Sequence, residues 1–263
     1  MTPASPESDG EAVTMNGRRP TRGASSSRKV LQLLLSFSEL RPEASVAELA
    51  EIVGTPVATA YRYVALLKEL QLLEEGRAGY YHVTSQVMPL ARAAQIANDL
   101  ARLARPTMED AARELRETVM LFQHFGDSAV CTERVECDRA MRFTFQPGHS
   151  LPLGVGASGK MLLASLPEAE RARLLPDLVR DRGATLRAEI LEAAEQRHAV
   201  SWGELDEGVW ACSVPIPAQG QRATVLSMAG PAARISDDAK RAAIASMRTY
   251  ASRIHDAIAS YRL

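Results

Sequence analysis

Residues 154–160 read Gly-Val-Gly-Ala-Ser-Gly-Lys, which satisfies the dinucleotide fingerprint G-x-G-x-x-G and, as far as the lysine, the phosphate-cradling G-x-x-x-x-G-K. Either motif would make the chain a nucleotide-binding enzyme, so the surrounding residues decide. Magnesium-dependent phosphate chemistry needs a hydroxyl after the lysine, and Met161 stands there. A strand should feed the loop, yet His149-Ser150-Leu151-Pro152 is broken by proline, and the segment where a ribose-binding acid would fall reads as helix. What survives is the physics of the loop. Its glycines permit close backbone approach, and amides at a helix N-terminus can hold an anion such as a carboxylate. Tight packing of a turn is the other use of the same glycines.

No second chemistry competes. The five histidines, His82, His124, His149, His198 and His255, have no metal-ligand spacing, and there is no G-x-S-x-G elbow. His149 beside Ser150, with Cys131 or Cys137 imagined nearby, forms a nucleophile-base pair that nothing orients. The three cysteines, Cys131, Cys137 and Cys212, match no zinc or redox spacing and read as reduced, buried thiols. The expectation is a protein that is not an enzyme and needs no cofactor or metal.

Function must then come from the elements. At 263 residues, 46% of them hydrophobic, the chain has material for two domains. Its first 30 residues lack an apolar h-region and no apolar run approaches bilayer length, so a cytoplasmic location without a membrane partner is expected. Residues 1–25 read as a flexible tail and 26–86 as a helix-turn-helix domain. Apolar spacing predicts a first helix over Arg28–Leu40. Ser45 and Glu48 form a capping box for a helix over Val46–Val53, Gly54 ends it, and Thr55-Pro56 opens a third helix over Val57–Leu70. Two short strands, Gln71–Glu75 and Tyr80–Val83, then make a wing. Residues 87–105 read as a linker helix broken by Pro106. A mixed domain over 106–263 follows, with strands at Val119–Phe125, Ala129–Val135, Met141–Phe145, Gly208–Pro215 and Arg222–Met228. Helices at Gly159–Leu166, Glu168–Val179, Arg187–Ala199 and Asp237–Tyr261 complete an α+β layout.

Formal net charge is −1, but charge is local: between Glu11 and Glu39 there is no acid, while Arg18, Arg19, Arg22, Arg28 and Lys29 fall in that gap. In the third helix Val57, Ala60, Val64, Leu67 and Leu70 can face the bundle. Thr59, Tyr61, Arg62 and Tyr63 are left for a major groove, with Arg62 the strongest base or phosphate contact. Arg77 and Tyr80 of the wing, Arg28 and Thr55 complete the candidate contacts to double-stranded DNA. A winged helix used for protein-protein contact is the competing reading.

From about Ser26 onward the chain resembles the IclR family of bacterial transcriptional regulators. The recognition-helix pattern appears as Gly54-Thr55-Pro56-Val57-Ala58-Thr59-Ala60-Tyr61-Arg62, with Ala58 in place of the usual serine. Further matches are Leu151-Pro152-Leu153 with Ala157-x-Gly159-Lys160, then Glu204-x-x-x-Gly208-Val209, and Pro215 with Leu226-Ser227-x-x-Gly230-Pro231. The resemblance implies a GAF-like effector domain, dimers through the DNA-binding half, often tetramers, and most commonly repression relieved by a small-molecule effector. Carried over residue by residue, the effector positions are Gly156, Ala157, Ser158, Ser201, Ala211, Ser227 and Ala229. The family's acid and thiol are replaced by Ser201 and Ala211, while Phe143, Trp210 and Met228 offer apolar wall, which points to a larger or aromatic effector.

Overall fold

The structure is a computed structural model that describes residue 21 and residues 23–143, 145–183, 185–217 and 222–261. Arg18, Arg19 and Arg22 of the basic stretch, and most of the expected tail, lie outside the described residues.

Three helices, α1 (Ser25–Leu35), α2 (Val46–Ile52) and α3 (Val57–Glu69), pack on a three-stranded sheet of β1 (Glu43–Ser45), β2 (Leu73–Glu75) and β3 (Tyr80–Val83) in the order β1-β3-β2. Leu33, Leu49, Leu67 and Leu73 are fully buried at the centre of this unit. The Ser45–Glu48 capping box forms as read, and the Ser45 backbone N–H and hydroxyl hold the Glu48 carboxyl below its ordinary range. Helix α1 stops short of the expected Leu40 because the Ser36 hydroxyl and amide both turn back to the Leu33 carbonyl. Thr55 does not cap α3. Pro56 holds that position, its carbonyl accepting from the Thr59 and Ala60 amides, and the Thr55 amide is spent on the Ala50 carbonyl. Val57 and Leu70, expected in the bundle, are 45% and 53% exposed, because each sits at a helix end beyond the reach of α1 and α2.

The linker is not one helix. A 3₁₀ turn, Ser85–Val87, leads into α4 (Met88–Ile96), and the chain breaks at Ala97–Asn98 before α5 (Asp99–Leu115). Asn98 makes the break by accepting the Ala101 amide with its side chain. Pro106, read as a terminator, lies inside α5 on its exposed side. The expected boundary at 105/106 therefore falls mid-helix, and α5 belongs with the domain that follows.

That domain is built on six antiparallel strands: β4 (Thr118–Phe125), β5 (Ser128–Val135), β6 (Ser150–Pro152), β7 (Ala199–Trp202), β8 (Val209–Pro215) and β9 (Thr224–Pro231), in the order β6-β5-β4-β9-β8-β7. Helices α5 and α9 (Asp237–Tyr261) cover one face. Helix α6 (Gly156–Ser165), with α7 (Glu168–Arg182) and α8 (Thr185–Gln196) behind it, covers the other. Strand alternation sorts the core: Val119, Leu121, Trp210, Cys212 and Met228 face α5 and α9, whereas Met120, Phe122, Val225 and Ala229 face α6. The α+β architecture is the one expected. Two local readings change. The described residues of Met141–Phe145 form a loop rather than a strand, and the residues read as the end of a helix at Ala199 open β7 after Arg197 turns the chain at φ +54°.

Two glycines are fixed by contact. A Cβ on Gly159 would lie 2.7 Å from the Pro152 carbonyl oxygen, so α6 packs backbone to backbone on the β6 end. We expect Gly159→Ala to lower stability by about 1–3 kcal/mol, the usual cost of overpacking, measurable as a lower denaturation midpoint. At Gly230 a Cβ would meet the buried Glu117 carboxylate. Cys131 and Cys212 are free, and burial pushes both thiols up to about 12. Neither should react with Ellman's reagent at pH 8 until denaturant is added; fast labelling of both in native protein would contradict the core packing.

Candidate functional site

Tyr61 and Arg62 stand on the open side of α3, with Ala58, Ala65 and Lys68 also exposed along it. Arg62 forms no ion pair among the described residues, which leaves its guanidinium available to an external acceptor. Thr59, Arg62 and Tyr63 border a cleft shared with Ser26, Ser27 and Val30 of α1, and Tyr63 is half-buried against the three-helix core. In the wing, Arg77 lies 3.7 Å above the Tyr80 ring and pairs with Glu43 at 2.8 Å. Arg28 donates to the Thr21 carbonyl at 3.1 Å. The outcome is an exposed helix face carrying Arg62 and Lys68, beside a wing whose turn presents Arg77 next to Glu74 and Glu75.

The second candidate site lies beneath α6. Gly156, Ala157, Ser158, Phe143, Ser201, Ala211, Ser227 and Ala229, drawn from five separate segments, all line one pocket. Trp210 does not. It is one residue out of phase with Val209 and Ala211, so its indole points through the sheet into the α5/α9 core. Met228 does line the pocket, although it also packs in the α5/α9 core. Three hydroxyls form the buried floor: Ser227 is 2.7 Å from Ser213 and 3.0 Å from Ser158. Ser213 was not anticipated, although it shares the strand face of Ala211. Aromatic rings form the wall, with Phe143 and Phe145 edge to face at 4.8 Å. Phe145 in turn stacks on His149 at 3.8 Å, and His149 Nδ1 bonds Glu39 in the turn after α1.

The glycine-rich loop is already occupied by the protein itself. Gly156, at φ +60°, opens α6, and its amide donates to Glu204 at 3.1 Å. The other Glu204 oxygen bonds Lys160, which also reaches Glu189 at 2.8 Å. Burial alone would push the Lys160 ammonium down, but the hydrogen bonds it donates to Glu189 and Glu204 outweigh that and raise its proton affinity above the ordinary lysine range. A buried lysine held by two carboxylates is not free for a phosphate, which disposes of the nucleotide-loop reading. The same observation corrects the expectation of an open anion site. Leu205, beside Glu204, closes over Gly156, and the pocket encloses only about 20 Å³, the room of one water molecule.

Residues 93–256 match the family described as bacterial transcriptional regulator IclR C-terminal, and residues 26–77 match the IclR helix-turn-helix domain. The chain belongs to the IclR family. It is similar to the HTH-type transcriptional regulator KipR of Bacillus subtilis, with 27% identity over 214 residues, 78% of this chain and 86% of KipR. The IclR family transcriptional regulator from Brucella abortus shares the fold at a TM-score of 0.78 and 20% identity, covering 91% of this chain and 93% of that one. An IclR homolog from Microbacterium hydrocarbonoxydans, complexed with 4-hydroxybenzoate, aligns at a TM-score of 0.60 and 21% identity over 89% and 99% of the two chains. IclR membership makes this protein a helix-turn-helix transcriptional regulator, in a family of transcriptional regulators. Among the described residues no helix is long and apolar enough to cross a membrane.

Proposed function

We propose that this IclR protein is a cytoplasmic repressor that holds its operator through α3 and the wing and releases it when an aromatic small molecule enters the pocket beneath α6. The observation that carries this reading is convergence: residues far apart in the chain meet at one lined cavity in a domain that shares no sheet with the recognition helix. The 4-hydroxybenzoate held by the Microbacterium relative supports an aromatic ligand, as do Phe143 and Phe145 at the wall. Leu31 and Leu35 on α1 and Met88, Leu90 and Ile96 on α4 are large, apolar and exposed, which supports a homodimer formed through the DNA-binding half, with tetramers built from it. Two recognition helices would then enter successive major grooves of a palindromic operator.

The test is mobility shift of the full chain on its own upstream intergenic DNA, at stated salt and with excess competitor, repeated with a panel of aromatic compounds. A specific shift weakened by one compound is expected, by a factor of about 5 to 150 if the coupling is of ordinary size. A specific shift strengthened by the compound would make the protein an activator or a co-repressed regulator. No specific shift with folded dimer would move weight to a protein-protein role for the winged helix. Ser227→Leu fills the pocket floor and is expected to abolish the ligand response while leaving operator affinity within about twofold, unless the buried serine cluster is needed for folding, which circular dichroism would reveal.

A further inference from the structure

A second cleft opens away from α6, where the end of α8, the end of β8 and the middle of α9 meet. It holds about 340 Å³ and shares no residue with the pocket beneath α6. Arg197, in the turn after α8, and Arg248 and Ser252 of α9 stand around an apolar floor that includes Val214 and Pro215. Among the described residues that line it, none is acidic and none is aromatic.

Arg197 has no evident duty inside the fold. Its backbone is left-handed, at φ +54°, in a position after a helix that usually goes to glycine or asparagine. Its side chain is exposed and forms no hydrogen bond or ion pair among the described residues. The end of α8 does not need it either, because Arg248 Nη2 donates to the Gln196 carbonyl at 2.6 Å and lies 3.1 Å from His198 Nδ1. Those contacts anchor the Arg248 guanidinium and leave its Nε and Nη1 uncommitted among the described residues. Ser252, one turn further along the same face of α9, adds a hydroxyl. The Gln196 amide is turned away, to Glu192 at 2.8 Å.

A carboxylate has two oxygens and is satisfied by one guanidinium fork. Two forks and a hydroxyl call for a group with three terminal oxygens and up to two charges, which is a phosphate monoester. The cleft is larger than the phosphate alone, so a carbon skeleton has room against Val214 and Pro215, and with no ring in the lining a nucleobase has nothing to stack on. We propose that this cleft is a binding site for a small aliphatic phosphate monoester, its phosphate held between Arg197 and Arg248. The site is independent of the effector reading of the pocket beneath α6.

The test is calorimetric titration of the full chain with ribose 5-phosphate, ribose and inorganic phosphate at one fixed ionic strength. Ribose 5-phosphate is expected to bind at least about tenfold more tightly than inorganic phosphate, and ribose to give no heat. Arg197→Gly locates the binding, since Arg62 and the wing could also attract a phosphate. Glycine takes φ +54° freely, so the thermal midpoint should hold while affinity for the ester falls at least about tenfold. Arg197→Asn, also at ease in left-handed backbone, gives the same readout should glycine loosen the turn. Ester affinity unchanged in these variants, or no binding of the ester by wild type, would overturn the site. Inorganic phosphate bound as tightly as the ester, and lost in Arg197→Gly, would overturn the ester and make the free anion the ligand.

Discussion

Arg62→Ala is expected to abolish specific operator binding without changing the fold. The side chain projects from the exposed face of α3, contributes nothing to the winged-helix core, and has no ion-pair partner among the described residues to leave behind. A well-placed arginine bond to a base is worth about 1–3 kcal/mol, so the proposed dimer, deprived of two of them, gives up about 2–6 kcal/mol, or roughly 30-fold to more than 10⁴-fold in affinity. Mobility shift against operator and against unrelated DNA separates the two roles open to this residue. If Arg62 reads a base, specific binding collapses toward the nonspecific level. If it holds a phosphate, both fall together and the salt slope declines by about one for each phosphate no longer neutralised. Operator affinity unchanged at matched salt would remove α3 from recognition. Arg77→Ala should do less, because its guanidinium is already shared between Tyr80 and Glu43.

Glu117→Ala should be the most damaging single change to stability. Its side chain is 5% exposed and bonds Arg234 through both oxygens, at 2.9 and 2.8 Å, from Nε and Nη2. Arg234, 25% exposed, also donates to the Met141 carbonyl and so pins the loop that carries Phe143. Removing one member of a buried, doubly bonded pair costs about 3–5 kcal/mol, and the exposed quarter of Arg234 places this pair at the lower end. Urea denaturation of the effector domain would show it as a lower midpoint. The pair matters more as a constraint than as net binding energy. Replacing both residues with apolar ones of similar volume is expected to recover most of the loss, and a double mutant as unstable as the single would refute that account.

Much of this was legible in the residues. The Ser45–Glu48 box, the alternation along β4, β8 and β9, and the capping of α9 by Ser236 are local rules that the fold obeys. Pro106 misled because a proline inside a helix costs about 3 kcal/mol without ending it where packing outweighs that cost, and the packing of α5 on α9 and the sheet is a tertiary property. Trp210 misled for the opposite reason. Its type suits a ligand wall, but a two-residue period assigns it to the other face, and the register that settles this comes from pairing with β9. Ser213 follows from the same period once Ala211 is placed. Glu204 carried no local sign of its role: its separation of 44 positions from Lys160 is closed only by the packing of β7 and α8 on α6.

Had residues 87–115 formed one continuous helix, the winged helix would ride on the effector sheet as the tip of a stiff rod, and any twist of α5 would arrive at the DNA undiminished. Split at Ala97–Asn98, the rod is two levers sharing a joint. Torque reaching α3 then depends on the second tie, from Glu39 to the His149 ring that lies flat on Phe145 at the pocket wall. On the proposed reading of the pocket as the effector site, a body held at these two points would turn a sideways push at the pocket wall into a change of angle at the groove.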